Sequence, residues 1–204
     1  MDTPHTHSTV NHFDDCPMCE VAIRSEGGGF LTIALVGRSD PDAADYWDGN
    51  WVTASVEVQA GGFRGSVGGH LRAEELVAFH GQLARLPESL RGTAEFATME
   101  GWLSIRVQGD GRGHMECRWV VRDEPGIGNT LDFTLATDQT FTRSTVAELA
   151  TAVQAFPVVG RPSLRSQERG KPARRLHSRS KFKVKVSAWS AAFLRTQRHA
   201  FNST

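Results

Sequence analysis

Residues 51–60 read Trp-Val-Thr-Ala-Ser-Val-Glu-Val-Gln-Ala, and this stretch decides the fold class. Small apolar side chains alternate with polar ones, which predicts a β-strand with one buried face and one wet face. A wet face is typical of antiparallel sheets, because parallel sheets are covered on both sides. Gly61-Gly62 follows and is a hairpin signal, so residues 63–71 are predicted to return beside the first strand.

The same period of two recurs on both sides of this hairpin. Before it, strands are predicted around residues 21–23 and 30–36, joined by three glycines. Residues 63–71 contain three glycines as well, so that strand is expected to be weak or bulged. Alternation after the first helix predicts four more strands, at residues 93–98, 102–108, 114–122 and 130–137.

Two segments change to the helical period. Four apolar residues share one face of the first predicted helix: Leu76, Phe79, Leu83 and Leu86. Pro87 is expected to end this helix. A second helix is predicted over residues 143–156, where Thr145 and Glu148 have the spacing of a capping box. The order ββ–ββ–α–ββββ–α predicts an α+β fold, an antiparallel sheet of about eight strands with two helices packed on one face.

Charge divides the chain into an acidic body and a basic tail. Residues 1–160 carry 11 Arg against 22 Asp or Glu, whereas residues 161–204 carry 12 Lys or Arg against one Glu. The whole-chain net charge of +0 therefore hides two segments of opposite sign. We predict a flexible leader over residues 1–18, a single α+β domain over residues 19–160 and a basic, disordered tail over residues 161–204.

Composition and motifs exclude several classes of protein. No apolar run approaches the roughly 20 residues that cross a bilayer. The first residues are polar and lack the apolar core of a secretory signal, so a cytoplasmic location is expected. Three cysteines, an odd number, favour a reducing compartment. The sequence has no Gly-x-Ser-x-Gly, His-Glu-x-x-His or Rossmann glycine motif, so nothing in it indicates an enzyme.

The basic tail leaves several interpretations open. Its Lys and Arg residues suit phosphate contacts with RNA or DNA. Its aromatic and apolar residues also suit an anionic membrane surface, and the alternation at residues 181–186 suits a strand that docks on a sheet edge. A solvated tail without function, or a frameshifted or read-through C-terminus, accounts for the same composition.

A metal site and an acid–base site are each weighed against a simpler interpretation. Cys16 and Cys19 form a C-x-x-C motif after His12, which is half a zinc site, so a leader without metal is favoured and no cofactor is predicted. Asp110 and His114 bracket Gly-Arg-Gly and are candidates for acid–base chemistry. A tight turn between two strands is favoured there, because glycine supplies positive φ and aspartate caps the turn.

The loop between the second and third strands mixes acids with aromatic residues. The candidate partner-binding residues are Asp40, Asp42, Asp45, Trp47, Asp48 and Trp51. Aromatic side chains among carboxylates suit recognition of a basic protein, whereas the spacing does not match an EF-hand calcium loop. The structural alternative is that Trp51 begins a strand and Trp47 covers the end of the sheet.

Six short motifs together resemble one known family. They are Ala60-Gly-Gly-Phe-Arg-Gly, Leu71-Arg-Ala-Glu-Glu-Leu, Met99-Glu-Gly-Trp-Leu-Ser, Gly109-Asp-Gly-Arg-Gly-His, Arg122-Asp-Glu-Pro-Gly-Ile-Gly-Asn and Leu135-x-x-Asp-Gln-Thr. Over about residues 21–160 the chain resembles the WapI-type immunity family of small bacterial proteins.

The resemblance implies a non-enzymatic protein that binds and neutralises a cognate nuclease-type toxin. An acidic domain suits such a role, because a toxin that acts on nucleic acid needs a basic surface. The alternative function, from a different class, is a nucleic-acid or anionic-surface binder that acts through the tail.

Overall fold

The computed structural model describes residues 19–162, which form eight strands and three helices. The elements are β1 (Cys19–Arg24), β2 (Phe30–Arg38), β3 (Trp51–Ala60), β4 (Phe63–Arg72), α1 (Ala73–Leu83), α2 (Leu86–Ser89), β5 (Arg91–Ala97), β6 (Leu103–Asp110), β7 (His114–Arg122), β8 (Thr130–Asp138) and α3 (Gln139–Ala155). The predicted leader and nearly all of the predicted tail lie outside the described residues, so the division into three parts stays a prediction.

The eight strands form two sheets of four. One has the order β1-β2-β3-β4 and the other β5-β6-β7-β8, and all neighbours are antiparallel. The predicted α+β class and the antiparallel pairing are confirmed. The strands divide into two sheets rather than forming one, since α1 and α2 follow β4 and no hairpin joins β4 to β5. No helix among the described residues is long and apolar enough to span a membrane.

The hairpin of β3 and β4 is regular along its full length. Its pairs run from Trp51 opposite Arg72 to Ala60 opposite Phe63 without a register shift. Gly61 has φ +56°, the left-handed value that a two-residue hairpin turn requires at its first position. The bulge expected in the glycine-rich strand lies instead in β2, between Leu35 and Gly37.

One hydrophobic core contains side chains of both sheets and of the helices. The alternate residues of β3 that were predicted to face inward are all buried: Val52, Ala54, Val56 and Val58. Trp102 and Trp119 are the largest buried side chains, with exposed fractions of 1% and 0%. Trp102 lies against Gly69 of β4, and its Nε1 donates a 2.6 Å hydrogen bond to the carbonyl of His70. The indole therefore joins the two sheets.

Two of the predicted helix signals have other roles. Pro87 lies in the first turn of α2, where the missing N–H costs nothing, so it does not itself end the first helix. Helix α3 begins at Gln139, and Asp138 caps it by accepting hydrogen bonds from the N–H groups of Thr140 and Phe141 at 2.7 and 2.9 Å. The prediction of a capping box at residues 145 and 148 is therefore wrong.

Thr145 and Glu148 instead cover the edge of β1. The Thr145 hydroxyl donates to the carbonyl of Ala22 at 2.7 Å, and Glu148 Oε2 accepts from the N–H of Ala22 at 2.6 Å. Helix α1 makes a similar hydrogen bond to β5, where Gln82 Oε1 accepts from the N–H of Glu95 at 3.0 Å. Each helix thus satisfies backbone groups on the first strand of the other sheet, which protects two edges from pairing with other chains.

Replacing Thr145 with valine is expected to lower the free energy of unfolding by about 1–2 kcal/mol, because the buried carbonyl of Ala22 loses its donor. The matched control is Thr151→Val in the same helix, where the hydroxyl is exposed and bonds only within the helix. That change is expected to stay within about 0.5 kcal/mol. Urea unfolding measures both, and equal losses would contradict the role of Thr145 at the edge.

Candidate partner-binding surface

The loop between β2 and β3 has a fixed backbone made by its own aspartates. Asp45 Oδ1 accepts hydrogen bonds from the N–H groups of Trp47 at 2.8 Å and Asp48 at 3.1 Å. Asp40 Oδ1 accepts from the N–H of Asp42 at 3.3 Å. The backbone N–H groups of Asp48 and Trp47 hold the pKa of Asp45 below its usual value. Two of the four aspartates therefore shape the loop as well as contribute charge.

Arg72, with 1% of its surface exposed, lies beneath this loop. Its Nη1 donates to the carbonyl of Trp47 at 2.8 Å and its Nη2 to the carbonyl of Tyr46 at 2.9 Å. The guanidinium carbon lies 5.1–5.6 Å from the ring centres of three aromatic residues, Tyr46, Trp47 and Trp51. These are cation–π distances, so one arginine fixes both the backbone and the rings of the loop.

Two glutamates complete the surroundings of Arg72. Glu74 Oε1 accepts from Arg72 Nε, whereas Glu74 Oε2 is buried and has no hydrogen-bond partner among the described residues. Glu75 accepts from the N–H of Arg72 at 2.9 Å and from the N–H of Met99 at 2.8 Å. Burial raises the pKa of Glu75 above its usual value, against the lowering effect of these N–H groups. Glu75 thereby joins the strand–helix corner to the β5–β6 hairpin.

Asn50 joins the loop to the segment that follows α3. This fully buried side chain donates to the carbonyls of Tyr46 and Val159, both at 2.9 Å, and accepts from the N–H of Val159 at 2.9 Å. Gly49 allows the close approach, because a Cβ there would lie 2.7 Å from Val159 Cγ2. The loop is therefore held from below by Arg72 and from the side by Asn50.

The structure places five of the six predicted partner-binding residues in the loop between β2 and β3 and the sixth, Trp51, at the start of β3. Asp40, Asp42, Asp45 and Asp48 are exposed, and Trp47 has 42% of its surface exposed. Trp51 is half-buried in β3 and faces Arg72, which agrees with the structural alternative for that residue. Sequence reasoning missed Arg72, Asn50 and Glu75, because no motif signals a side chain whose partners lie 25 or more residues away or on another element.

The described contacts of Asp110 and His114 are with other residues and not with each other. Asp110 Oδ1 accepts from the N–H of Arg112 at 2.6 Å, which is a turn cap. His114 has a 75% exposed side chain, and its Nδ1 lies 4.0 Å from Glu26 Oε1. Both line a surface depression of about 410 Å³ whose polar side chains are all exposed. The turn cap agrees with the favoured interpretation of this segment, and acid–base chemistry at Asp110 and His114 stays the alternative prediction.

The candidate metal ligands are not brought together in the part of the chain that the structure describes. Cys19 begins β1 with a buried side chain, while Cys16 and His12 lie outside the described residues. Within residues 19–162, no group of three or more His, Cys, Asp or Glu is placed to hold a metal ion. Cys117 is a core residue on β7, and burial raises the pKa of its thiol to about 12.

Comparison with known proteins gives one family and, among solved structures, distant likenesses that include the following two. The model of the "Immunity protein WapI-like family" matches residues 22–157. No curated protein matches the chain. The structure of the plant transcriptional regulator PBF-2 is 13% identical in sequence, with a TM-score of 0.43 over 68% of this chain and 82% of that one. The MRP1/MRP2 structures from "trypanosoma bruciei" are 14% identical, with a TM-score of 0.38 over 68% of this chain and 84% of that one. Neither likeness is close enough to carry a functional argument.

Proposed function

We propose a function from one premise: the chain belongs to the WapI-like immunity protein family. Membership supports an immunity-like role, in which the protein acts by binding another protein rather than by catalysis. The further step that we propose is that this partner is a basic toxin of the nuclease type, and that the loop over Arg72 forms part of the surface that binds and neutralises it.

The observation that carries the proposal is the construction of this loop. Its carboxylates and Trp47 are exposed, while its backbone is held by the buried side chains of Arg72 and Asn50. A loop that is already ordered loses little conformational entropy when it binds. Tryptophan is enriched among the residues that contribute most to protein interfaces, and here it lies among four carboxylates. The arrangement suits a partner with an apolar depression surrounded by Lys and Arg.

Neutralisation follows from competition for the toxin's basic surface. A nuclease-type toxin needs cationic groups to hold the phosphates of its substrate. Exposed carboxylates of the loop would contact the same groups and exclude the nucleic acid. Opposite charges also speed the encounter, because they steer diffusion, and this effect weakens as salt screens it. The immunity-like protein needs no reactive group of its own for this role.

Co-expression with a nuclease-type toxin domain, chosen first from the genes that adjoin this one, tests the function. The full chain is expected to restore growth of a sensitive host. Asp42→Lys combined with Asp48→Lys is expected to weaken binding of the purified toxin domain at least about tenfold, mainly by slowing association. Neither carboxylate makes a hydrogen bond that shapes the loop in the described structure, so the fold should be kept.

The matched control is Glu88→Lys combined with Glu116→Lys. It changes the net charge equally at two exposed carboxylates outside the loop, and its affinity is expected to stay within about threefold of the unmodified chain. Failure of the unmodified chain to protect against that toxin would remove the proposed function. Equal losses from both charge reversals would instead remove the assignment of the loop. Tail-driven binding of nucleic acid stays a separate prediction, because the tail lies outside the described residues.

A further inference from the structure

Large exposed apolar side chains are concentrated at one end of the described structure. Six of the seven lie at or near the end that carries residues 39–50, the loop over Arg72 that we call the Arg72 loop. They are Val36 in β2, Trp47 in the Arg72 loop, Val77 in α1, Met99 between β5 and β6, Ile127 between β7 and β8, and Val158 after α3. The exception is Phe63, beside the β3–β4 turn at the opposite end. We call the first end the loop end; it contains residues 36–50, the start of α1, residues 98–102, residues 123–129 and residues 157–160. Scattered apolar residues need no explanation, but such clustering is typical of an interaction site.

Hydrogen bonds connect the segments of the loop end in series. Arg72 contacts the carbonyl of Trp47, and Glu75 joins the N–H of Arg72 to the N–H of Met99. Arg122 Nη1 then donates to the carbonyl of Gly101 at 2.7 Å, and its N–H donates to the carbonyl of Trp102 at 2.7 Å. The Arg72 loop, the β5–β6 hairpin and the β7–β8 loop are therefore neighbours with a fixed arrangement.

The β7–β8 loop holds Ile127 in an exposed position. Asp123 accepts from the backbone N–H of Asn129 at 2.7 Å and from its side-chain Nδ2 at 2.8 Å, which closes the loop. The Asn129 side chain is the main cause that lowers the pKa of Asp123. The N–H of Gly128 donates to the carbonyl of Glu124 at 2.9 Å. Ile127 is 82% exposed at the tip of this closed loop, so the fold maintains an apolar side chain in water.

Charge at the loop end is strongly one-sided. Nine carboxylates lie there: Asp40, Asp42, Asp45, Asp48, Glu74, Glu75, Glu100, Asp123 and Glu124. The guanidinium groups of Arg38, Arg72 and Arg122 bind backbone carbonyls of the loop end. Among the described residues, Arg161 follows the loop end in sequence and is exposed. The opposite end carries exposed arginines such as Arg91 and Arg112. Apolar tips among carboxylates suit one kind of partner, a basic protein surface.

We propose that the partner-binding surface is the whole loop end, with Met99 and Ile127 as apolar anchors in addition to Trp47. This inference rests on the proposed function and extends it, since neither residue belongs to the Arg72 loop. The occupant is the basic toxin, whose surface must offer apolar depressions between cationic side chains. Three anchors on three separate loops fix the orientation of the partner, whereas one loop would leave it free to rotate.

The test measures binding of the full chain to the purified nuclease-type toxin domain that is used in the co-expression. Met99→Ala combined with Ile127→Ala is expected to weaken affinity on the order of 10–100-fold, because truncated anchors no longer fill their depressions. Phe63→Ala is the matched control, an exposed apolar residue at the opposite end, and its affinity is expected to stay within about threefold. Thermal unfolding of each variant checks that the fold is kept.

Amide hydrogen exchange of the unmodified chain gives a second measurement that needs no variant. Bound toxin is expected to slow exchange at residues 98–101 and 123–129 as well as in the Arg72 loop. If the toxin binds but protects only residues 39–50, or if the double variant binds as tightly as the unmodified chain, the wider surface is refuted and the proposed function stands. If the unmodified chain does not bind the toxin at all, both are refuted.

Discussion

Replacing Arg72 with methionine is expected to lower the free energy of unfolding by about 3–5 kcal/mol, the usual effect of removing one partner of a buried ion pair. The loss has three physical causes. The carbonyls of Tyr46 and Trp47 lose their donors, three aromatic rings lose the cation between them, and Glu74 keeps a partly buried carboxylate without a counter-ion. Methionine keeps most of the apolar volume, so the measurement isolates charge and hydrogen bonding.

The matched control for this prediction is Arg106→Met. Arg106 lies 3.3 Å from Glu95, but both side chains are more than half exposed, so its loss is expected to cost no more than about 1 kcal/mol. Combining Arg72→Met with Glu74→Gln should recover part of the lost stability, because the second change removes the uncompensated charge. Equal urea unfolding midpoints for Arg72→Met and Arg106→Met would show that the contacts of Arg72 do not stabilise the fold more than an exposed ion pair does.

The same variant separates folding from binding. If Arg72 acts by holding the loop, Arg72→Met should speed amide exchange at residues 45–48 even where the rest of the domain stays folded. Affinity for the toxin domain should then fall although no contacting side chain has changed, because the loop must be ordered on binding. Unchanged exchange in the loop together with unchanged affinity would show that Arg72 does not hold the loop for binding.

Sequence patterns predicted the elements of this fold better than their arrangement. Alternation in residues 51–60 gave the buried face of β3 correctly, because every second side chain must leave water. It could not show that the strands divide into two sheets, since each strand reports only its own faces. The pairing of Thr145 and Glu148 with Ala22 was missed for a related reason: a capping-box spacing and an edge contact use the same residue types.

The sequence likewise indicated some residues of the candidate partner-binding surface and missed others. Acids and aromatic residues in the loop between β2 and β3 were visible because they lie close together in sequence. Arg72 was not, because its partners Tyr46 and Trp47 precede it by 26 and 25 residues, and only the pairing of β3 with β4 brings them together. Met99 and Ile127 were also missed, since a single apolar residue in a turn has no pattern until its exposure is known.

Gly69 provides the second large expected effect, and it tests how the sheets are joined. A Cβ at this position would lie 2.7 Å from Nε1 and 2.8 Å from Cδ2 of the Trp102 indole, whose side chain is buried. Gly69→Ala is therefore expected to lower the free energy of unfolding by about 2–3 kcal/mol, through displacement of the indole and loss of its hydrogen bond to His70. Neither a flexible side chain nor open space is available to relieve the overlap.

Gly68 offers a control one residue away on the same strand. A Cβ there meets nothing closer than the Ala54 carbonyl at 3.9 Å, so Gly68→Ala should be neutral or stabilise by up to about 1 kcal/mol through a restricted unfolded chain. Both substitutions change the entropy of the unfolded state equally, so their difference reports the overlap with Trp102. Adding Trp102→Ala, which removes the whole indole, should make Gly69→Ala less harmful than it is alone. If the effects of the two changes were simply additive, the indole would not be the obstacle, and the contact between β4 and Trp102 would not depend on a glycine at residue 69.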